Sequence, residues 1–147
     1  MLVAAGVCLL AACSPNSVTV TPPRPVGPVQ QQCAHLGNRL PPKLAQLHSR
    51  PTEPQSPLTH AWGSPPITLK CGVPRPRRYV PASSSTLDVD GVQWFQAVGS
   101  GTVTWTAIRP GPAPERRIYV ELAVPTSYQA SDGYLVALAE PLKLALP

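Results

Sequence analysis

Few side chains in this sequence have the type and spacing that catalysis requires. Only 13% of the 147 residues are charged, about half of the usual ~25%. Ser100 lies between two glycines, but Gly99-Ser100-Gly101 is not the Gly-x-Ser-x-Gly turn of a serine hydrolase. Glu121 and Asp132 form a carboxylate pair for glycoside chemistry only by assumption, and the glycine pattern of a phosphate-binding loop is absent. The sequence therefore predicts no catalytic residue and no enzyme.

The residues that could bind a metal are also poorly spaced for it. Three histidines, His35, His48 and His60, accompany the cysteines, but no His-x-x-x-His or Cys-x-x-Cys pair occurs among them. Asp88-Val89-Asp90-Gly91 resembles the first ligands of a calcium loop, but the later acceptors and the closing Glu are missing. A hairpin turn explains Asp90-Gly91 without a metal. We expect no metal site and no cofactor.

The amino-terminal cysteines indicate a processed leader. Met1 to Ala12 is an apolar run, too short for the ~20 residues of a membrane span and suited to the core of a secretory signal. Leu10-Ala11-Ala12-Cys13 resembles the bacterial lipobox, in which the cysteine is acylated on its thiol and becomes the new amino terminus. The alternatives are an ordinary signal peptide or a buried strand. No Lys or Arg precedes the apolar run, so we expect a true start upstream of Met1.

Composition divides the rest of the chain into a linker and a domain. The sequence has 21 prolines, nearly three times the average share of ~5%, and five of them lie in residues 14–32. This pattern predicts a signal peptide over residues 1–12 and a Pro-rich linker over 13–32, either an extended spacer or a disordered tail. Residues 33–147 form a single domain. The proline content excludes a coiled coil, and the length excludes a multi-domain enzyme.

Hydrophobic periodicity predicts an α+β domain. A helical stripe over Cys33, Leu36, Leu40, Leu44 and Leu47, broken by Pro41-Pro42, predicts helices at 31–39 and 42–48. Alternation predicts strands at 67–71, 92–96, 102–108 and 117–124, with a hairpin at Asp90-Gly91. A last helix is expected from Asp132 to Glu140, capped by Ser131 and stopped by Pro141. The expected fold is a small antiparallel sheet of four to five strands, with short helices at both ends of the domain packed on one face.

Several motifs in the domain occur together in one known family. These are Cys33-x-x-Leu36, the block Trp62-Gly63-Ser64-Pro65-Pro66-Ile67-Thr68-Leu69-Lys70-Cys71-Gly72, Val89-Asp90-Gly91-Val92-Gln93-Trp94 and Tyr119-Val120-Glu121. In order and approximate spacing they resemble the actinobacterial domain-of-unknown-function family 3515, over residues 33 to about 140. The resemblance implies a small secreted or membrane-anchored envelope protein with two cysteines in these places. It implies no activity.

The two cysteines that remain after processing predict a disulfide. Cys8 leaves with the signal and Cys13 is the expected lipidation site, so Cys33 and Cys71 form an even pair in an exported chain. A redox-active pair and metal ligands are the alternatives, and neither has a Cys-x-x-Cys spacing to support it. We expect a structural bridge between the first helix and the first strand, with Cα atoms within ~7 Å.

The positive charge suggests a partner class without identifying the partner. Five arginines, at positions 75, 77, 78, 116 and 117, supply much of the net charge of +5. A basic patch can bind nucleic acid, but an exported protein rarely meets it, so no nucleic acid is expected. Anionic lipid head groups or wall polymers are the alternative. We expect Trp62, Trp94 and Trp105 to contribute at least two core residues.

Two functions from different classes remain at this point. The first is an extracytoplasmic protein on the cell membrane, lipid-anchored through Cys13, or secreted if Cys13 is not acylated. It would bind or scaffold an envelope protein or wall polymer without catalysis. The second is a small extracytoplasmic hydrolase acting on cell-wall material, which needs a cleft with paired polar side chains.

Overall fold

The computed structural model describes residues 16–128 and 132–147. These residues form two helices, α1 (Pro28–Gly37) and α2 (Asp132–Ala145). They also form ten strands: β1 (Val18–Thr19), β2 (Lys43–Leu44), β3 (Leu47–Arg50), β4 (Thr52–Glu53), β5 (Thr59–Trp62), β6 (Ile67–Val73), β7 (Leu87–Val89), β8 (Val92–Val98), β9 (Thr102–Pro110) and β10 (Arg117–Pro125). In this described part, no helix has the length and apolar character needed to cross a membrane.

Eight strands form one antiparallel sheet in the order β2-β3-β5-β6-β10-β9-β8-β7. Short turns make sequential strands antiparallel neighbours, as predicted for the Asp90-Gly91 hairpin between β7 and β8. The sheet is larger than the four to five strands expected, because β2, β3 and β5 extend it beyond β6. The α+β class is confirmed and the strand count is corrected. A parallel pair, β1 with β4, lies apart from this sheet.

Both helices pack on the same face of the sheet. Alternate residues of β6 and β10 are buried, among them Leu69 and Leu122, and they belong to one cluster with Leu36 of α1 and Leu138 of α2. All four of these side chains are fully buried. Trp62 and Trp94 are buried in the same cluster, and Trp105 packs against it partly exposed. We call this the helical face and the opposite side the second face.

The predicted helix over 42–48 is wrong, because these residues form a β-hairpin. Lys43–Leu44 and Leu47–Arg50 pair as antiparallel strands, with Leu44 opposite Leu47. Ala45 turns the chain with a positive φ of 53°. A tight hairpin brings residues three apart into contact just as a helix does, so the leucine spacing fitted either structure.

The other helix boundaries differ from the prediction for two reasons. The first helix begins at Pro28 rather than 31, because proline is tolerated in the first turn, and it ends at Gly37. The last helix continues through Pro141 to Ala145. Its final turn buries Leu142 completely, and this burial outweighs the backbone hydrogen bond that proline removes. The predicted cap, Ser131, lies outside the described residues.

The described part of the predicted linker packs on the domain. Val18 and Val20 are buried against Ala61 on the second face, and Val18 donates its N–H to the Pro51 carbonyl at 2.9 Å. Further along, Pro25 reaches Gly72, where an added Cβ would lie 2.6 Å from the proline Cγ. The interpretation of residues 16–32 as a spacer clear of the domain is therefore corrected. Valines two residues apart let an extended, proline-rich segment bury apolar side chains.

A disulfide joins Cys33 of α1 to Cys71 of β6. Their Cα atoms are 5.4 Å apart, within the predicted limit of ~7 Å. Both residues are buried, with 0% and 1% of their surface exposed. The predicted pairing of first helix with β6 is present, and it holds α1 on the helical face.

Replacing both cysteines, Cys33→Ala with Cys71→Ala, is expected to lower the free energy of unfolding by up to about 4 kcal/mol. The bridge restricts the unfolded chain over a sequence separation of 38 residues. Urea unfolding of the oxidised protein and the double variant measures the change. Reductant should destabilise the wild type and leave the double variant unaffected. Alkylation of Cys33 or Cys71 before reduction, located by peptide mass, would contradict the cross-link.

Candidate functional site

The structure gives ordinary roles to the residues that looked closest to catalytic. Ser100 lies in the turn between β8 and β9, where the Gly99 N–H bonds to the Thr102 carbonyl at 2.9 Å. Glu121 forms a salt bridge with Lys70 across β10 and β6, at 3.1 Å from Nζ to Oε1. Asp132 begins α2. Ser100 is therefore part of a turn, and Glu121 is part of an ion pair.

The candidate metal ligands are not brought together. Within residues 16–128 and 132–147, no group of three or more His, Cys, Asp and Glu side chains could hold a metal ion. His35 and His48 are exposed. The Asp88 carboxylate accepts the Gly91 N–H at 3.1 Å, which stabilises the β7–β8 turn. Cys13, the predicted lipidation site, lies outside the described residues.

A cleft of about 520 Å³ lies where the carboxyl end of α1 meets β3, β4 and β5. Its apolar side comes from Leu40, Pro41, Pro42 and Pro51, and its polar side from Ser49, Arg50, Thr52, Glu53, Gln55, Ser56, Thr59 and His60. Ser17, Gly37, Ala61 and Trp62 complete the lining. This volume lies within the range of ~300–1,000 Å³ that is typical of small-ligand pockets.

His60 and Trp62 form one wall of this cleft. The two rings stack at 6.2 Å with an interplanar angle of 30°. Trp62 Nε1 donates to the Pro41 carbonyl at 3.0 Å, which ties β5 to the segment after α1. His60 Nε2 donates to the Pro57 carbonyl at 3.2 Å. Burial lowers the pKa of His60, and the hydrogen bond to Pro57 acts in the opposite direction.

A glycine at the end of α1 lets the helix approach His60. A Cβ added at Gly37 would lie 2.6 Å from the Pro57 oxygen and 2.9 Å from His60 Nε2. Any side chain at this position would therefore push the helix away from the histidine wall. The sequence alone does not identify Gly37 as a site residue, because an isolated glycine at this position is equally explained as the end of the helix.

Arg50 anchors the other wall. Its Nε donates to the Asn16 carbonyl at 3.2 Å and its Nη1 donates to the Gly63 carbonyl at 2.9 Å. These bonds join the amino-terminal segment to the turn before β6. Behind Arg50, the buried hydroxyls of Thr52 and Thr59 are 3.0 Å apart. Arg50 is the last residue of β3, and no local sequence motif signals its hydrogen bonds to these two segments.

The lowered pKa of His60 gives a pH-dependent stability. Because the folded-state pKa lies below the unfolded value of ~6.5, the unfolded chain binds the proton more readily. Stability is expected to be fully present above pH 6.5 and to fall as the pH drops toward the folded pKa. Chemical denaturation at several pH values should show this loss.

The variant His60→Gln should flatten that pH dependence, whereas His48→Gln, at an exposed histidine, should leave it unchanged. NMR titration of the His60 ring protons measures its pKa directly. A His60 pKa at or above the ordinary value of ~6.5 would contradict the assignment.

Comparison with known proteins places the chain in a family. A family model described as "Protein of unknown function (DUF3515)" matches residues 1–147, the whole chain. None of the curated proteins matches the chain. No solved structure matches it. The cysteines at 33 and 71 and the Trp62–Gly72 block, which suggested this family from sequence, are those that build the disulfide and the cleft wall, and the protein belongs to the family DUF3515.

Proposed function

We propose that the protein is an extracytoplasmic envelope protein, anchored to the cell membrane by a lipid on Cys13, whose domain binds a partner without catalysis. The lipobox Leu10-Ala11-Ala12-Cys13 supports the anchor. The Cys33–Cys71 bridge supports export, because structural disulfides persist in oxidising compartments. The partner class is an envelope protein or a wall polymer.

The packing of the amino-terminal segment determines how far the anchor holds the domain from the membrane. Asn16 is held on the domain by Arg50, and Cys13 precedes it by three residues. Three residues span at most ~10 Å. An anchor at Cys13 would therefore keep the domain close to the bilayer, rather than tens of ångströms away on a spacer.

One observation carries the non-catalytic assignment: four polar side chains of the cleft, those of Arg50, Thr52, Thr59 and His60, hold backbone or one another. Arg50 donates to two carbonyls, His60 donates to a third, and Thr52 pairs with Thr59. A hydrolase needs an acid, base or nucleophile directed at a substrate, whereas a binding cleft needs a rigid shape. The arrangement favours binding over the alternative of a cell-wall hydrolase.

The anchor is tested by Cys13→Ala in the native host. The wild type should be processed to begin at Cys13 and enter the detergent phase, because the acyl chains partition with detergent. Cys13→Ala should remain unprocessed at this site and lose the acyl mass. Cys8→Ala is the matched control, since Cys8 lies in the segment to be removed. Unchanged processing and lipid mass in Cys13→Ala would refute the anchor.

The binding role is tested by a photo-reactive residue placed in the cleft. Gln55 is exposed and lines the cleft, so a benzoylphenylalanine there should cross-link a discrete partner in native membranes. The same residue at Ser100, in the distant β8–β9 turn, is the control. Adding Ser49→Tyr should block the cleft and abolish the cross-link. Equal cross-linking from positions 55 and 100 would contradict a role for the cleft.

A further inference from the structure

We propose that a cluster of six arginines at one end of the sheet docks the domain on the anionic head groups of a phospholipid membrane. The cluster, called here the arginine end, consists of Arg24, Arg75, Arg77, Arg78, Arg116 and Arg117. The inference rests on the proposed membrane location and adds a second point of membrane contact.

The antiparallel pairing of β6 with β10 brings three of these arginines together. Val73, the last residue of β6, is paired with Tyr119 near the start of β10. Arg75 follows β6, Arg116 precedes β10 and Arg117 is its first residue. Burial raises the pKa of Tyr119, as does Tyr79, while the charges of Arg75 and Arg117 lower it. Both guanidinium groups therefore lie near the same phenol.

Aromatic packing fixes the loop that carries Arg77 and Arg78. Tyr79 follows them directly and is only 7% exposed. Its ring lies 5.3 Å from that of Phe95 and 6.3 Å from that of Tyr119. The two arginines are thus held beside the strands, although their own side chains are exposed.

Arg24 reaches the same end through its neighbour. Pro25 packs on Gly72, the residue before Val73, and the φ of +87° at Gly72 and the missing Cβ allow this approach. Arg24 therefore lies at the carboxyl end of β6, where the loop with Arg75 also begins.

The arginine end carries more positive than negative charge. The chain has 12 Lys and Arg and 7 Asp and Glu. Glu115 precedes Arg116, and Asp88 and Asp90 lie at the β7–β8 turn at the same end of the sheet, where β8 pairs with the last residues of β9 and β9 pairs with the first residues of β10. The six arginines therefore exceed these three carboxylates. Within residues 16–128 and 132–147 the structure records one salt bridge, Lys70–Glu121. All six arginines are exposed, so their charge is available to an anionic surface.

Two exposed valines favour a lipid surface over a soluble polymer. Val26, two residues after Arg24, is 80% exposed, and Val80, two residues after Arg78, is 52% exposed. Moving an apolar side chain near cationic residues from water into the head-group region of a bilayer is favourable, as in other interfacial segments. A hydrated polyanion offers the arginines partners but offers the valines nothing.

The arginine end and the anchor then define an orientation. Residues 16–25 run along the second face from the turn at Gly63, where Arg50 holds Asn16, to Gly72 at the far end of β6. These points are separated by the length of β6, roughly 20 Å. Contact at both ends would lay the second face along the membrane and direct the helices away from it.

The test compares two variants with the same charge change on the chain from Ser14 onward, which lacks the leader and the acylated cysteine, so that an acyl anchor does not contribute to vesicle binding. Arg77→Gln/Arg78→Gln/Arg116→Gln removes three charges from the arginine end. Arg39→Gln/Lys43→Gln/Lys143→Gln removes three from other exposed sites. Flotation with phosphatidylglycerol-containing vesicles should show a partition coefficient lower by on the order of a hundredfold for the first variant, and a near-wild-type value for the second. Melting temperatures should stay at the wild-type value in both.

Three results would overturn the proposal. Equal loss in the two variants, or equal binding by the wild type to pure phosphatidylcholine vesicles, overturns the proposal. So does loss of polyphosphate binding in the first variant while vesicle binding persists, which would assign the arginines to a soluble polymer. Salt should weaken the wild-type binding to anionic vesicles. Residues 1–13 are absent from all of these proteins, so failure here leaves the anchor standing, and failure of the Cys13→Ala processing test leaves the arginine end to be judged separately.

Discussion

The cross-link between Cys33 and Cys71 is the constraint around which the rest of the domain is arranged. Cys71 is bonded to α1 on the helical face, whereas Val18 and Val20 of the segment before α1 pack on Ala61 on the second face. Between these two contacts Pro25 packs on Gly72, where β6 shifts its register against β10 and the φ is +87°. The chain must therefore pass around the end of β6 between Pro25 and Pro28, and it does so at Gly27 with a φ of +60°. One continuous segment, from the amino-terminal residues to α1, therefore contacts both faces of the sheet at β6.

The positions of the two cleft walls depend on this attachment of the amino-terminal segment and α1 to β6. Holding α1 on β6 places its last residue, Gly37, against Pro57 and His60, and the chain after it supplies the Pro41 carbonyl to Trp62. The same segment, entering on the second face, supplies the Asn16 carbonyl to Arg50. One wall of the cleft thus depends on the helix and the other on the residues before it. Loss of the disulfide is expected to loosen both.

The prolines show how a composition can favour several structures. In residues 16–26 they suggest an unattached spacer, but Val18 and Val20 are buried on the sheet. Pro28 begins a helix and Pro141 is accommodated within one. Proline restricts φ and removes a donor wherever it occurs. Whether that ends an element depends on what the neighbouring side chains bury, as Leu142 does beyond Pro141.

The sequence by itself determined the α+β class, the antiparallel strands 102–108 and 117–124, the hairpin at Asp90-Gly91 and the pairing of Cys33 with Cys71. These depend on strict alternation, a two-residue turn or the count of cysteines, all of which are local properties. Only the tertiary structure decided that residues 43–50 form strands, that Arg50, His60 and Trp62 share a cleft, and that Arg24 joins the arginines of β6 and β10. Leucines three residues apart satisfy a helix and a tight hairpin equally, and the pairing of distant strands depends on burial shared across the whole sheet, which no short segment encodes.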